Sequence, residues 1–183
     1  MPDQRFCLFD TAFGPVGLAW SERGLTRLQL PEASRSATEK RLGADAERLN
    51  RTEAPPSVQA AIELLKRYFD GERVDFAELV LDLGGKGEFD KQIYALARQI
   101  GWGQTTTYGE LARQAGAPGA AQAVGRAMGH NPLAVIIPGH RVLAASDRIG
   151  GFSAYGGTIS KERLLALEGV VAGMPLLSWA LGN

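Results

Sequence analysis

The chain has 183 residues, 45% apolar and 22% charged, which allows one large domain or two small ones around ordinary cores. Its 20 Lys/Arg and 20 Asp/Glu cancel to a net charge of zero, which argues against a protein that grips polyanions nonspecifically. One cysteine excludes an intrachain disulfide, the start Met1-Pro2-Asp3-Gln4-Arg5 lacks a signal-peptide core, and no apolar run approaches the ~20 residues that span a bilayer. The expected setting is cytoplasmic, with no membrane.

From the N-terminus, Phe6 to Trp20 alternates short apolar groups around Gly14-Pro15, which predicts a hairpin. Gly24 to Leu30 reads as a strand that Pro31 ends. Thr38 to Leu49 is a charged helix candidate. Pro55-Pro56-Ser57 opens a second, with Val58, Ile62, Leu65 and Phe69 at helical spacing and Asp70-Gly71 as its stop. Phe76 to Leu83 reads as another strand. Gly84 to Gly87 is the expected boundary, so residues 1–84 form a small α+β domain. Charge shifts there: residues 1–83 carry 11 Lys/Arg against 14 Asp/Glu, and residues 84–183 carry 9 against 6. Any nucleic-acid surface is therefore expected in the second half.

In that half, Phe89, Ile93, Leu96 and Ile100 predict an amphipathic helix ended by Gly101-Trp102-Gly103. Thr107 and Glu110 form a capping-box pattern opening a helix to about Ala115. After the turn Gly116-Ala117-Pro118-Gly119, a third helix runs from Ala120 to Met128 with Gly129 as its C-cap. Helix, glycine turn, helix is a helix-turn-helix pattern. The small side chains of its second helix fit close packing or close approach to DNA. Gln122 and Arg126, four apart, then share one face. Leu133 to Pro138 reads as a buried strand, Val142 to Ala145 as a shorter one, Ser146-Asp147-Arg148 as a turn, and Ile149 to Gly157 as a glycine-rich loop. Lys161 to Leu167 starts a last helix, ending at Glu168-Gly169.

The segment Ile136-Ile137-Pro138-Gly139-His140-Arg141-Val142 combines an apolar run, a proline, the smallest residue, an imidazole and a guanidinium. A lone histidine there reads equally as a satisfied core residue. Together with Thr107-Tyr108-Gly109-Glu110-Leu111-Ala112, Ala123-Val124-Gly125, Asn131-Pro132, Gly151-Phe152-Ser153 and Leu164 to Gly169, it resembles the catalytic domain of the O6-alkylguanine-DNA alkyltransferases over residues 89–169. The first half resembles the family's variable N-terminal domain more loosely, through Asp10-Thr11, Gly14-Pro15 and Tyr68-Phe69-Asp70-Gly71-Glu72. The resemblance implies an α+β fold, with an α/β domain at 1–84 and a helical, winged helix-turn-helix-like DNA-binding domain at 85–183.

In the family's Pro-Cys-His-Arg segment the cysteine is reactive; here Gly139 takes its place. That is similar to the alkyltransferase-like subgroup, whose members bind alkylated guanine without transferring the alkyl group and hand the lesion to nucleotide excision repair. Many carry tryptophan or alanine at the position, and some lack the N-terminal domain that this chain keeps.

Residue by residue, the resemblance implies that Tyr108 rotates the nucleotide out of the duplex. Gln122 stands where the family often has an arginine finger, able to hydrogen-bond the orphaned cytosine but uncharged. Ala121, Arg126 and Arg148 complete the implied DNA contacts, Arg126 reading equally as a solvated position. Tyr108, Met128, Gly139, Val142, Phe152 and Ser153 form the implied base pocket, with backbone carbonyls near 139 and 142 accepting the guanine amino group and the Ser153 loop donating to O6. Ala154-Tyr155 makes that loop about two residues longer than usual in the family. Glu168, His140 and Asn131 match a relay that takes the thiol proton, because only the thiolate attacks well. With Gly139 the relay is vestigial and no catalytic residue is expected to be active. Arg141 is implied to pin the surrounding backbone, and the missing side chain to admit larger alkyl groups. No cofactor and no metal are expected: two histidines and the distant Cys7 form no ligand set, and Cys7 is no substitute nucleophile.

The leading expectation is therefore a monomeric, non-enzymatic protein that recognises O6-alkylguanine in double-stranded DNA and signals to nucleotide excision repair proteins. The alternatives are an alkyltransferase whose cysteine has been substituted, hydrolytic dealkylation by a water that His140 activates, and a transcriptional regulator using the helix-turn-helix alone.

Overall fold

Four consecutive apolar residues, Phe6 to Phe9, require a strand covered on both faces. In the computed structural model, which describes residues 3–43, 46–145 and 158–170, all four are buried in β1 (Gln4–Thr11). β1 pairs antiparallel with β2 (Gly14–Ser21), and β2 with β3 (Gly24–Gln29). The short β4 (Ala46–Arg48) adds in parallel to the free edge of β1, giving the order β3-β2-β1-β4. The hairpin turn falls at Ala12-Phe13, one step before the Gly-Pro pair; Gly14, at φ 109, opens β2.

α1 (Arg35–Leu42) packs on β2 and α2 (Pro56–Phe69) on β1. Phe6, Leu8, Ala19 and Leu42 form one apolar cluster, and strand alternation turns Cys7 and Phe9 to the opposite face. The α2 residues Val58, Ile62, Leu65 and Phe69 are buried as their spacing predicts, and Gly71 leaves the helix at φ 90.

Three expected elements differ. Thr38 to Leu49 is not one helix: Ser34 caps α1 through the Ala37 N–H, the helix stops at Leu42, and Ala46–Arg48 joins the sheet, because the unpaired edge of β1 outcompetes a helix with only Thr38 and Leu42 buried. Phe76 to Leu83 forms no strand. Only Leu81 bridges to Leu25, and Val80 is 68% exposed, so there is no second face to bury. Leu133 to Ile137 is buried throughout but turns back on itself, with the Ile137 N–H donating to the Leu133 carbonyl at 2.8 Å. Val135 sits in that turn at φ 74, a left-handed conformation that a β-branched residue rarely adopts.

The chain divides into two compact units: Met1–Gly87 with Asn131–Ile137, and Glu88–His130 with Pro138–Asn183. Leu133 bridges to Leu28 of β3, which ties the returning segment into the sheet unit. The second unit holds α3 (Glu88–Ala97), α4 (Tyr108–Gln114), α5 (Ala121–Gly129) and α6 (Thr158–Leu167). A two-residue β5 (Thr106–Thr107) pairs in parallel with β6 (Val142–Leu143). α3, α4 and α5 pack on one another, and the buried Tyr94 hydroxyl donates to the Ala127 carbonyl at 2.7 Å. Gly116 and Gly119, at φ 75 and 88, supply the left-handed turn between α4 and α5. Thr107 caps α4 by accepting the Glu110 N–H, while the Glu110 carboxylate turns to Arg113 and Gln114 instead of closing a capping box. Gly129 is not a C-cap: it is the last residue of α5, and His130 takes the cap. The architecture is α+β, a sheet unit followed by a helical unit bearing a helix-turn-helix.

Candidate functional site

The proline at 138 blocks extension, and the chain after it tightens into a 3-10 turn, Gly139–Arg141, with all three residues buried. A buried guanidinium and imidazole need partners, and one carboxylate supplies them. Glu168, just past the end of α6, lies 2.5 Å from His140 Nε2. It accepts two bonds from Arg141, from Nε at 2.8 Å and Nη2 at 3.0 Å, in a bidentate fork. A further bond comes from the Gly103 N–H at 3.1 Å, and Arg141 Nη1 donates to the Ile100 carbonyl at 2.5 Å. Arg141 thereby joins the loop after α3, the 3-10 turn and the end of α6.

Electrostatics fix the charge states. Burial alone would raise the Glu168 carboxyl, but hydrogen bonds and charge from His140 and Arg141 outweigh it and hold the group well below the usual carboxylate range. Burial drives the His140 imidazole down, more than its contact with Glu168 raises it, and the positive charges of Arg141 and Lys161 push the same way. The pair is a neutral imidazole on an ionised carboxylate.

Lys161 is a site residue that the motif does not name. It is fully buried in α6, donates to the Val142 carbonyl at 2.6 Å and to the Tyr108 hydroxyl at 3.3 Å, and sits 5.5 Å from the Tyr108 ring centre. Burial pushes its ammonium down to about 8 and raises the Tyr108 phenol. The signal that could have found it is the spacing: Lys161, Leu164, Leu165 and Glu168 follow the i, i+3, i+4, i+7 rhythm of one helix face, and all four are buried. Through Lys161, Tyr108 at the start of α4 and Val142 in β6 come together. The Val142 carbonyl keeps a second lone pair for another donor.

Met128 is buried on α5 beside Val124 and Ala127. On the same helix Gln122 and Arg126 are exposed and Ala121 is half-buried. Asn131 holds the returning segment: its side chain donates to the Ile137 carbonyl at 2.8 Å and accepts the Leu133 N–H at 2.9 Å. Arg148, Phe152 and Ser153, with the turn and loop that carry them, lie outside the described residues. A cavity of about 630 Å³ is lined by Leu96, Ile100, Gly103, Thr106, Leu111 and Val170 among others; of the expected pocket residues that are described, Tyr108, Met128, Gly139 and Val142, none lines it. Among the described residues no cluster of His, Cys, Asp and Glu could hold a metal, and no helix is long and apolar enough to cross a membrane.

Residues 5–83 match the ribonuclease-like domain of 6-O-methylguanine DNA methyltransferase, and residues 88–170 match its DNA binding domain. The methylated-DNA--protein-cysteine methyltransferase of Mycolicibacterium paratuberculosis is 40% identical over 159 residues, covering 87% of this chain and 88% of that protein. The crystal structure of Mycobacterium tuberculosis OGT in complex with DNA superimposes with a TM-score of 0.72 at 36% identity, covering 90% of this chain and 92% of that one. The O6-methylguanine-DNA methyltransferase of the hyperthermophilic archaeon Pyrococcus kodakaraensis strain KOD1 gives a TM-score of 0.68 at 25% identity, over 91% of this chain and 99% of that one. These relatives correct the expectation, drawn from Gly139, of a protein that is not an enzyme: proteins 40% identical over most of their length are named for methyl transfer to cysteine. Matched along nearly all of both units, the chain belongs to the 6-O-methylguanine DNA methyltransferase family.

Proposed function

We propose that this protein is an O6-alkylguanine-DNA alkyltransferase in fold and lesion recognition, in which Gly139 has replaced the cysteine that accepts the alkyl group. Residues 85–183 engage double-stranded DNA. α4 and α5 lie on the duplex, Gln122 and Arg126 face it, and the extruded base enters against Tyr108, Val142 and Met128, with Phe152 and Ser153 completing the pocket. The observation that carries this reading is the buried Glu168–His140–Arg141 cluster beside Gly139. Burying three ionisable groups costs several kcal/mol of desolvation per ion, which a helix-turn-helix regulator has no use for. A DNA complex of a relative with the same fold adds support for the partner.

The test is a titration of duplexes with and without O6-methylguanine or O6-benzylguanine at one stated salt concentration, since affinity for DNA depends steeply on salt. Tighter binding to the lesion duplex is expected; equal affinity overturns the reading. Gly139→Cys should take up the alkyl group one-to-one, seen as a mass increase of the protein. A folded Gly139→Cys that binds the lesion and stays unmodified would refute the alkyltransferase geometry.

A second reading is favoured by the same glycine. The protein marks the lesion in the manner of the alkyltransferase-like subgroup and passes it, as a monomer on DNA, to nucleotide excision repair proteins. It predicts faster incision of the lesion duplex by excision nucleases when this protein is bound.

A further inference from the structure

We propose that the groove lined by Leu96, Ile100, Leu111 and Val170 is the docking site of this chain's own segment 176–181, with Trp179 as its anchor, and that the docked segment braces the loop holding the Arg141–Glu168 pair. The inference goes beyond the lesion-binding reading and stands whether or not an alkylated base binds.

The groove asks for an apolar, uncharged occupant. Its volume of about 630 Å³ exceeds any one side chain and falls in the range of roughly 300–1,000 Å³ that ligand pockets span. Leu111 is buried in it, while Leu96, Ile100 and Val170 are only half-buried and leave apolar surface facing water. Gly103 with glutamine and threonine side chains makes up the rest, and no described lining residue is ionisable.

α6 delivers the chain to this place. Gly169 leaves the helix at φ 81 and donates to the Ala166 carbonyl at 3.0 Å, and the Val170 N–H returns to the Leu165 carbonyl at 2.8 Å. That paired cap ends the helix and fixes the exit point, which is Val170 on the groove wall. The chain runs on through residues 171–183, which include Met174, Leu176, Leu177, Trp179 and Leu181 and no charged side chain, in a sequence that is 22% charged. Such a segment can enter the groove without stripping water from a charge. Gly173 and Pro175 are turn formers, and from Val170 to Leu177 the chain reaches at most ~25 Å, enough to double back over its own exit point.

Docking there has a consequence for the buried cluster. Two groove residues also hold it: the Ile100 carbonyl accepts from Arg141 Nη1, and the Gly103 N–H donates to Glu168. An occupied groove packs the outer side of the loop whose backbone grips the ion pair.

The experiment follows amide hydrogen exchange of the full chain. Trp179→Ser should speed exchange of the Gly103 amide at least about fivefold, and Trp179→Phe, which keeps an aromatic anchor, should restore most of the protection. Unchanged exchange in Trp179→Ser overturns the proposal. Urea midpoints of Leu96→Ala, Trp179→Ala and the double variant form a cycle: the combined shift should be smaller than the sum of the two, and a simple sum would show that the side chains do not meet. Protection of Gly103 that appears only as protein concentration rises would assign the groove to a neighbouring copy and overturn docking within one chain. Should Trp179→Ser fail to fold, a nitroxide on Gln114→Cys, an exposed position on the groove, decides the matter, because Cys7 is buried and escapes labelling. The Trp179 indole N–H signal should then broaden; a signal of unchanged width places the segment elsewhere and refutes the proposal.

Discussion

Glu168 gathers donors from Gly103, His140 and Arg141, and its removal should be felt as stability before it is felt as function. Glu168→Ala leaves a buried guanidinium without a counter-charge, which costs about 3–5 kcal/mol. Glu168→Gln keeps the shape and one acceptor and should cost less; urea midpoints at neutral pH order the two. The carboxyl also sets an acid limit. Its folded value lies below the unfolded ~4.3, so its stabilisation is complete above that value and is lost as pH falls toward the folded one. Urea midpoints between pH 5 and 2 should fall steeply for the native chain and less for Glu168→Gln. Lys161 acts with the opposite cost. Its ammonium titrates near 8 when folded and near 10.4 when unfolded, so between those values the unfolded chain binds more protons and stability rises with pH. Lys161→Met should flatten that rise.

At the scale of elements, the helix-turn-helix invites a gain-of-binding test. Gln122 is exposed on α5, four residues before the exposed Arg126. Gln122→Arg should tighten binding to lesion duplex and steepen the dependence of log affinity on log salt by about one phosphate contact. An unchanged slope would remove Gln122 from the DNA face. α2, α3, α4 and α5 were legible in the sequence because their signals are local: apolar residues three and four apart, a capping threonine, glycines that supply a left-handed turn. β4 was not, since Ala46–Arg48 becomes a strand only by pairing with Gln4–Phe6, some forty residues away. The turn at Val135 was illegible for a related reason. Its run of apolar residues reads as a strand, and only burial of every side chain, Leu133 to Ile137, holds a valine at φ 74. In the site, Gly139, His140, Arg141 and Glu168 stood out as a motif, whereas Lys161 was hidden by its type: a lysine on a helix is read as solvent-facing unless its neighbours at i+3 and i+4 are weighed with it.

For the whole molecule, no composition reveals that Asn131–Ile137 returns to the unit formed by Met1–Gly87. That return is testable. The Leu28 amide donates to the Pro132 carbonyl at 2.9 Å, so it should be protected from hydrogen exchange in the full chain and exchange faster in a fragment of residues 1–87. Equal protection in both would show that the returning segment adds nothing to the sheet unit. The interleaving also sets a timetable during translation. The sheet unit is a segment short until residue 137 has left the ribosome, a wait of seconds at ~5–20 residues per second, and the carboxylate that balances Arg141 arrives later still. The Arg141–Glu168 pair is therefore among the last parts of the described chain to become possible, and a ribosome that stalls before codon 168 releases a product whose buried guanidinium has lost its counter-ion.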